Sequence, residues 1–134
     1  MRTIKFRGKR LLSEDWEYGN LIQRPCGGNF IETGDMRLCP MQDFSIGQFT
    51  GLRDKNGKEI YEGDIIRSFD SKGEPIIHYI LYDNEEAGFV AVLKGSAKGD
   101  FGYGKCYQQW ITECEKEVIG NIHDNPELLK QNHE

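Results

Sequence analysis

The chain has 134 residues, enough for one ordinary domain that buries about two-thirds of its unfolded surface and needs neither disulfide nor metal to fold. Its net charge of −5 argues against a general binder of phosphate backbones, because such affinity comes from Lys and Arg displacing counterions. The start MRTIKFRGKRLL is charged where a signal peptide needs an apolar core, and no apolar run reaches membrane-spanning length, so a cytoplasmic protein with no membrane partner is expected. In that compartment Cys26, Cys39, Cys106 and Cys114 should be reduced.

Sixteen glycines against four prolines, with abundant Tyr and Phe, fit short strands joined by tight turns, and the predicted elements are almost all strands. Residues 3–9 alternate, with Ile4 and Phe6 on one face and Lys5, Arg7 and Lys9 on the other. A turn at 13–15 leads into a strand over 16–23, completing a first hairpin. Residues 24–43 are rich in turn signals and predict an irregular excursion with one short strand at 30–32.

Residues 44–49 enter the stretch QFTGLRDKNGKEIYEGDII, at positions 48–66. A two-residue loop on Asn56 and Gly57 would oppose Lys55 to Lys58 and Asp54 to Glu59, two like-charge pairs. A three-residue loop, with Gly57 in the left-handed position of a bulge, instead pairs Asp54 with Lys58, Arg53 with Glu59 and Leu52 with Ile60. That register is predicted. A second reversal at Glu62-Gly63-Asp64 precedes a strand over 65–69. Strands at 76–82 and 89–93 form a further hairpin across 83–88. A strand at 117–122 is followed by a short helix with Asn125 as N-cap, Pro126 at its first position and Glu127 in its first turn.

The KFRG start, the Trp16-Glu17-Tyr18-Gly19 hairpin, the 48–66 stretch and the closing VIGNIHDNPELL together resemble the YopX family of bacteriophages and prophages. The resemblance implies one all-β domain over residues 1–134, built as a small SH3-like barrel or roll with a short C-terminal helix. It also implies a phage accessory role in the cytoplasm of a bacterial host, and it transfers no catalytic residue, cofactor or ligand. Residues 24–43 and 94–114 lie outside it.

Chemical motifs are sparse. Residues 99–106, GDFGYGKC, have P-loop spacing, but Cys106 replaces the hydroxyl that should hold magnesium, so a mobile glycine-rich loop is expected. The cysteine spacings lack the close pairs of a zinc site, and no metal or cofactor is expected. His78, inside an apolar strand, reads as a core or edge residue, and His123 as a turn residue. Glu59, Glu62 and Asp64 could converge as acid and base, yet acidic turn residues ordinarily face water, and an enzyme such as a small hydrolase is the weaker expectation.

The functional tilt lies in the basic ladder Lys5, Arg7 and Lys9, extended by Arg10 and adjoining Trp16 and Tyr18. Cations beside aromatics on a β surface can hold single-stranded nucleic acid. The competing reading is a strand whose lysines block edge-to-edge aggregation while the aromatics enter the core. The sequence therefore predicts a non-catalytic binding module for a host or phage protein, with a single-stranded nucleic-acid binder as alternative. An open strand edge would also permit self-association into a homo-oligomer.

Overall fold

A computed structural model describes residues 2–95, 105–106, 111 and 115–130. The chain divides between Gly51 and Leu52 into two compact units. In the first, β1 (Phe6–Lys9), β2 (Trp16–Gln23), β3 (Asn29–Glu32), β4 (Leu38–Pro40) and β5 (Gly47–Arg53) follow the order β4-β3-β2-β1-β5. β2 covers the predicted residues 16–23, and β1 pairs antiparallel with it as a hairpin. The 24–43 excursion is more regular than expected, because Phe30, Ile31 and Glu32 of β3 pair with Pro40, Cys39 and Leu38 of β4.

One face of this sheet is a small core of Ile31, Cys39 and Met41, with Phe6, Leu21 and Ile46 packed against it. Two glycines set how closely its backbones approach. A Cβ on Gly8 would lie 3.1 Å from the Met41 sulfur, and one on Gly19 would lie 2.0 Å from the Glu32 carbonyl oxygen. The glycine of the Trp-Glu-Tyr-Gly motif is thus demanded by the neighbouring strand's backbone.

β5 runs past Gly51 into the second unit, where it leads through the hairpin to β6 (Glu59–Tyr61). The predicted register forms. Asp54 N–H donates to Lys58 O at 2.8 Å, Gly57 N–H to Asp54 O at 3.0 Å, and Arg53 reaches Glu59 at 3.5 Å. Gly57 has φ +82°, the left-handed conformation that glycine adopts without steric cost. The Glu62-Gly63 reversal then starts β7 (Asp64–Phe69), with Gly63 at φ +92° and Asp64 Oδ2 accepting Tyr61 N–H at 2.7 Å.

β7 joins β8 (Pro75–Asp83), β9 (Gly88–Leu93), β10 (Lys105–Cys106) and β11 (Glu117–Asn121) in the order β10-β9-β8-β7-β11. Ile60, Ile66, Ile80, Phe89, Ala91, Ile111 and Val118 form the core of this unit.

The fold is mainly β, as the sequence predicts. The SH3-like closure implied by the resemblance is not seen: among the described residues the strands lie in two open antiparallel sheets. β4 ends one of them and carries Pro40, which has no N–H to offer another strand. The expected C-terminal helix is one 3-10 turn over Pro126–Leu129. Pro126 does take its first position, but Asn125 does not cap it, because its Oδ1 accepts Asn121 N–H at 3.2 Å instead.

Asp54 ties this unit together. Its Oδ1 accepts Asn56 N–H and Lys58 N–H, each at 2.9 Å, and its Oδ2 accepts Val118 N–H of β11 at 3.0 Å. Burial acts to raise the carboxyl pKa, but the backbone donors of Val118, Lys58 and Asn56, with the Lys58 charge, outweigh it and hold the pKa below the ordinary value. Asp54→Asn keeps one acceptor but sets an amide donor against one of these N–H groups, and should cost about 1.5–3 kcal/mol in urea unfolding at pH 7. Because the folded pKa is depressed, this stabilisation is present above about pH 4 and is lost as pH falls through the folded value, so the gap between wild type and variant should close in acid.

His78 acts in a higher window. Burial on β8, at 4% exposure, lowers its pKa to about 4. The unfolded state therefore binds more protons between about pH 6.5 and 4, and folding stability must fall with pH across that range, by on the order of 2 kcal/mol. In denaturation measured at half-unit steps, His78→Leu should flatten this segment while leaving the Asp54 segment in place.

Candidate functional site

β1 and β2 bring the predicted basic and aromatic residues onto one face, as alternation requires. Arg7 pairs with Tyr18 and Lys9 with Trp16, and Lys5 hydrogen-bonds through its carbonyl to Phe49 N–H of β5. The Arg7 guanidinium carbon sits 4.7 Å from the Trp16 ring centroid and Lys9 Nζ 5.7 Å from the same centroid, while Lys5 Nζ lies 5.6 Å from that of Phe49.

Arg7 and Lys9 are each only 5% exposed. Their charged heads lie over the Trp16 ring, and Lys9 Nζ also meets the exposed Glu14 carboxylate at 2.5 Å. Of the aromatics predicted beside the ladder, Tyr18 presents the larger open surface, at 45% exposure. Arg10 stands apart from the ladder. It forms an isolated bridge with Met41, and its carbonyl accepts Gln42 Nε2 at 2.9 Å.

The candidate carboxylates are engaged in the 48–66 turns. Asp64 is buried in its bond to Tyr61 N–H, and Glu59 meets Arg53 and the Tyr61 hydroxyl, at 3.1 Å from the latter. Cys39 is in the core of the first unit and Cys26 is exposed. His123 N–H donates to Asn121 Oδ1 in a turn, as expected. Of the P-loop-like segment, residues 99–104 lie outside the described residues. Lys105 and Cys106 form β10, paired with Val92 and Ala91 of β9, where a phosphate loop would begin a helix.

A different surface escaped the sequence reading. Leu11, Phe30, Pro40, Met41 and Phe44 line a hollow of about 440 Å³ in the first unit. Beside it, Arg10, Leu11, Leu12 and Pro40 line another of about 320 Å³. Leu12 is 95% exposed, Phe44 72% and Leu11 53%. The available signal was the Leu11-Leu12 pair immediately before a turn, which interrupts strand alternation with two consecutive apolar residues.

A model of the family described as YopX protein matches residues 5–130. The chain belongs to the YopX family. This YopX chain is also similar to a solved structure, the crystal structure of protein EF1440 from Enterococcus faecalis, with 24% identity, a TM-score of 0.54 and coverage of 97% of this chain and 100% of that one. At that identity the likeness is one of fold. No curated protein matches the chain.

The packing on β1 and β2 predicts unequal roles for its residues. Arg7→Ala should lower unfolding stability by about 1–2 kcal/mol through lost contact with Trp16. Tyr18→Ala, at the open position, should change it by less than about 0.5 kcal/mol in the same denaturant titration.

Proposed function

We propose that the chain is a non-catalytic binding module that engages a host or phage protein through the apolar surface around Leu11, Leu12 and Phe44. The exposure of these three side chains at the margins of adjoining hollows carries the reading. Fully burying one such side chain is worth about 1.5–3 kcal/mol, and grouped exposed apolar residues mark protein interaction surfaces. A partner supplying an apolar anchor to the hollow beside Phe30 and Met41 would gain that burial. An accessory role in bacteriophages and prophages, as the resemblance implies, suits a module of this kind, and a bacterial cytoplasm suits its partners.

Tyr18, open on the cationic face of β1 and β2, supports single-stranded nucleic-acid binding as a second reading. One experiment separates them. Bacterial proteins captured by the wild type are compared with those captured by Leu12→Asp/Phe44→Asp and by Lys5→Glu/Tyr18→Ala, after circular dichroism shows each variant folded. Specific loss of a captured protein in the first variant is expected. Identical captures by wild type and that variant would refute the protein-binding surface, while retention of single-stranded DNA that only the second variant loses would favour the alternative.

A further inference from the structure

We infer that Asn56 is a site of spontaneous deamidation and that Asp54 gates it: the closed hairpin turn keeps the Asn56-Gly57 pair intact, and the open turn lets it lose ammonia. Asn56 is the one asparagine of the sequence followed by glycine. With no side chain on Gly57 to obstruct the approach, its backbone nitrogen can attack the Asn56 side-chain amide. The bond from Gly57 N to Asn56 Cγ forms, the Cγ–Nδ2 bond breaks, and ammonia leaves with the proton that Gly57 N gives up. The resulting five-membered succinimide takes up one water and opens to aspartate or to isoaspartate. Water is the only co-reactant.

Solvent access does not protect the pair, because Asn56 and Gly57 are both exposed. Hydrogen bonding does. Three successive amides of the turn donate to one residue: Asn56 N–H to Asp54 Oδ1 at 2.9 Å, Gly57 N–H to Asp54 O at 3.0 Å and Lys58 N–H to Asp54 Oδ1 at 2.9 Å. The attacking nitrogen must first lose its proton, and an amide proton held in a hydrogen bond is released only when that bond opens. The Asp54 carboxylate, bonded to the amides on either side of Gly57, also places a negative charge where an amide anion would form and disfavours it. Asp54 Oδ2 accepts Val118 N–H at 3.0 Å and Lys55 N–H donates to Lys116 O at 2.9 Å, so the turn is clamped to the chain around β11 as well as closed on itself.

The products do not refit the turn equally. Aspartate keeps the backbone but sets a new carboxylate two residues from that of Asp54. Isoaspartate also adds a carbon to the main chain inside a three-residue loop whose length sets the pairing of Arg53 with Glu59. Loss of ammonia is irreversible, so conversion accumulates with the time the turn has spent open. Asn56 thereby records opening of the second unit as a permanent change of charge.

The test incubates the full chain at mildly alkaline pH and constant temperature, and reads the fraction of Asn56 converted by peptide mapping and mass spectrometry. Folded wild type should convert at least about tenfold more slowly than the same chain held unfolded in urea. Asp54→Asn should speed conversion of the folded chain by about tenfold, the factor expected when the clasp loses one hydrogen bond to a charged group. Wild type supplies a second measurement that needs no variant. Below the unfolding transition its conversion rate should rise with urea far less steeply than the unfolding equilibrium, because opening one turn exposes little surface. Equal rates in the folded and unfolded chain would overturn the inference, as would an unchanged rate in folded Asp54→Asn. Parallel dependence on urea would do so too, since the whole fold rather than the Asp54 clasp would then protect Asn56. None of these readouts depends on the surface around Leu12 and Phe44.

Discussion

One carboxylate organises the second unit. Asp54 closes its own turn through two backbone donors and, with its other oxygen, holds Val118 N–H at a separation of 64 residues in the chain. A charged acceptor serving several donors is stronger than a neutral one, and removing it would leave Val118 N–H buried without its partner. The neighbouring bond from Lys55 N–H to Lys116 O, at 2.9 Å, and that from Ile122 N–H to Gly63 O, also at 2.9 Å, continue the same seam. Two sequence motifs that read as independent turns are therefore two sides of one joint. Val118 then contributes its side chain to the core beside Ile60 and Ile66, so hairpin geometry and core packing are set together.

This explains what the sequence could disclose and what it could not. Hairpin register was legible because charge pairing acts over a few residues: Arg53, Asp54, Lys58 and Glu59 decide it locally. The second use of Asp54 was hidden, since a local pattern contains no information about a donor on a distant strand. Asn125 failed as a helix cap for a related reason. Its residue type suits a cap, but the backbone amide of Asn121 competes for the same oxygen, and Gly120 leaves the space: a Cβ there would lie 2.5 Å from Asn125 Oδ1. The closing motif is a polar turn network in which glycine and asparagine answer each other, and among the described residues a single 3-10 turn follows it.

The basic ladder shows the limit of pattern reading for the site. Alternation put Lys5, Arg7 and Lys9 on one face, and the β1–β2 register sets Tyr18 opposite Arg7 and Trp16 opposite Lys9, because strand geometry fixes which face a residue takes. Alternation does not fix exposure. Long cationic side chains can lie along an aromatic ring as readily as they extend into water, and Arg7 and Lys9 lie along Trp16. Conversely, Leu11, Leu12 and Phe44 carry the composition of a core and stand in solvent. Polarity and burial are inverted on two surfaces of the same unit, and in each case three-dimensional context reverses the residue type.

That inversion bears on function. A buried cation packed on an aromatic contributes to the fold, so altering it changes stability and any binding together. An exposed leucine adds little to a folded chain, and its burial becomes favourable only when a second surface covers it. The exposed apolar groups of the first unit lie outside the 48–66 stretch whose turns set the hairpin register. A scaffold held by side-chain acceptors of backbone N–H groups, such as Asp54, leaves those positions able to vary in chemistry without disturbing the register on which the strands depend.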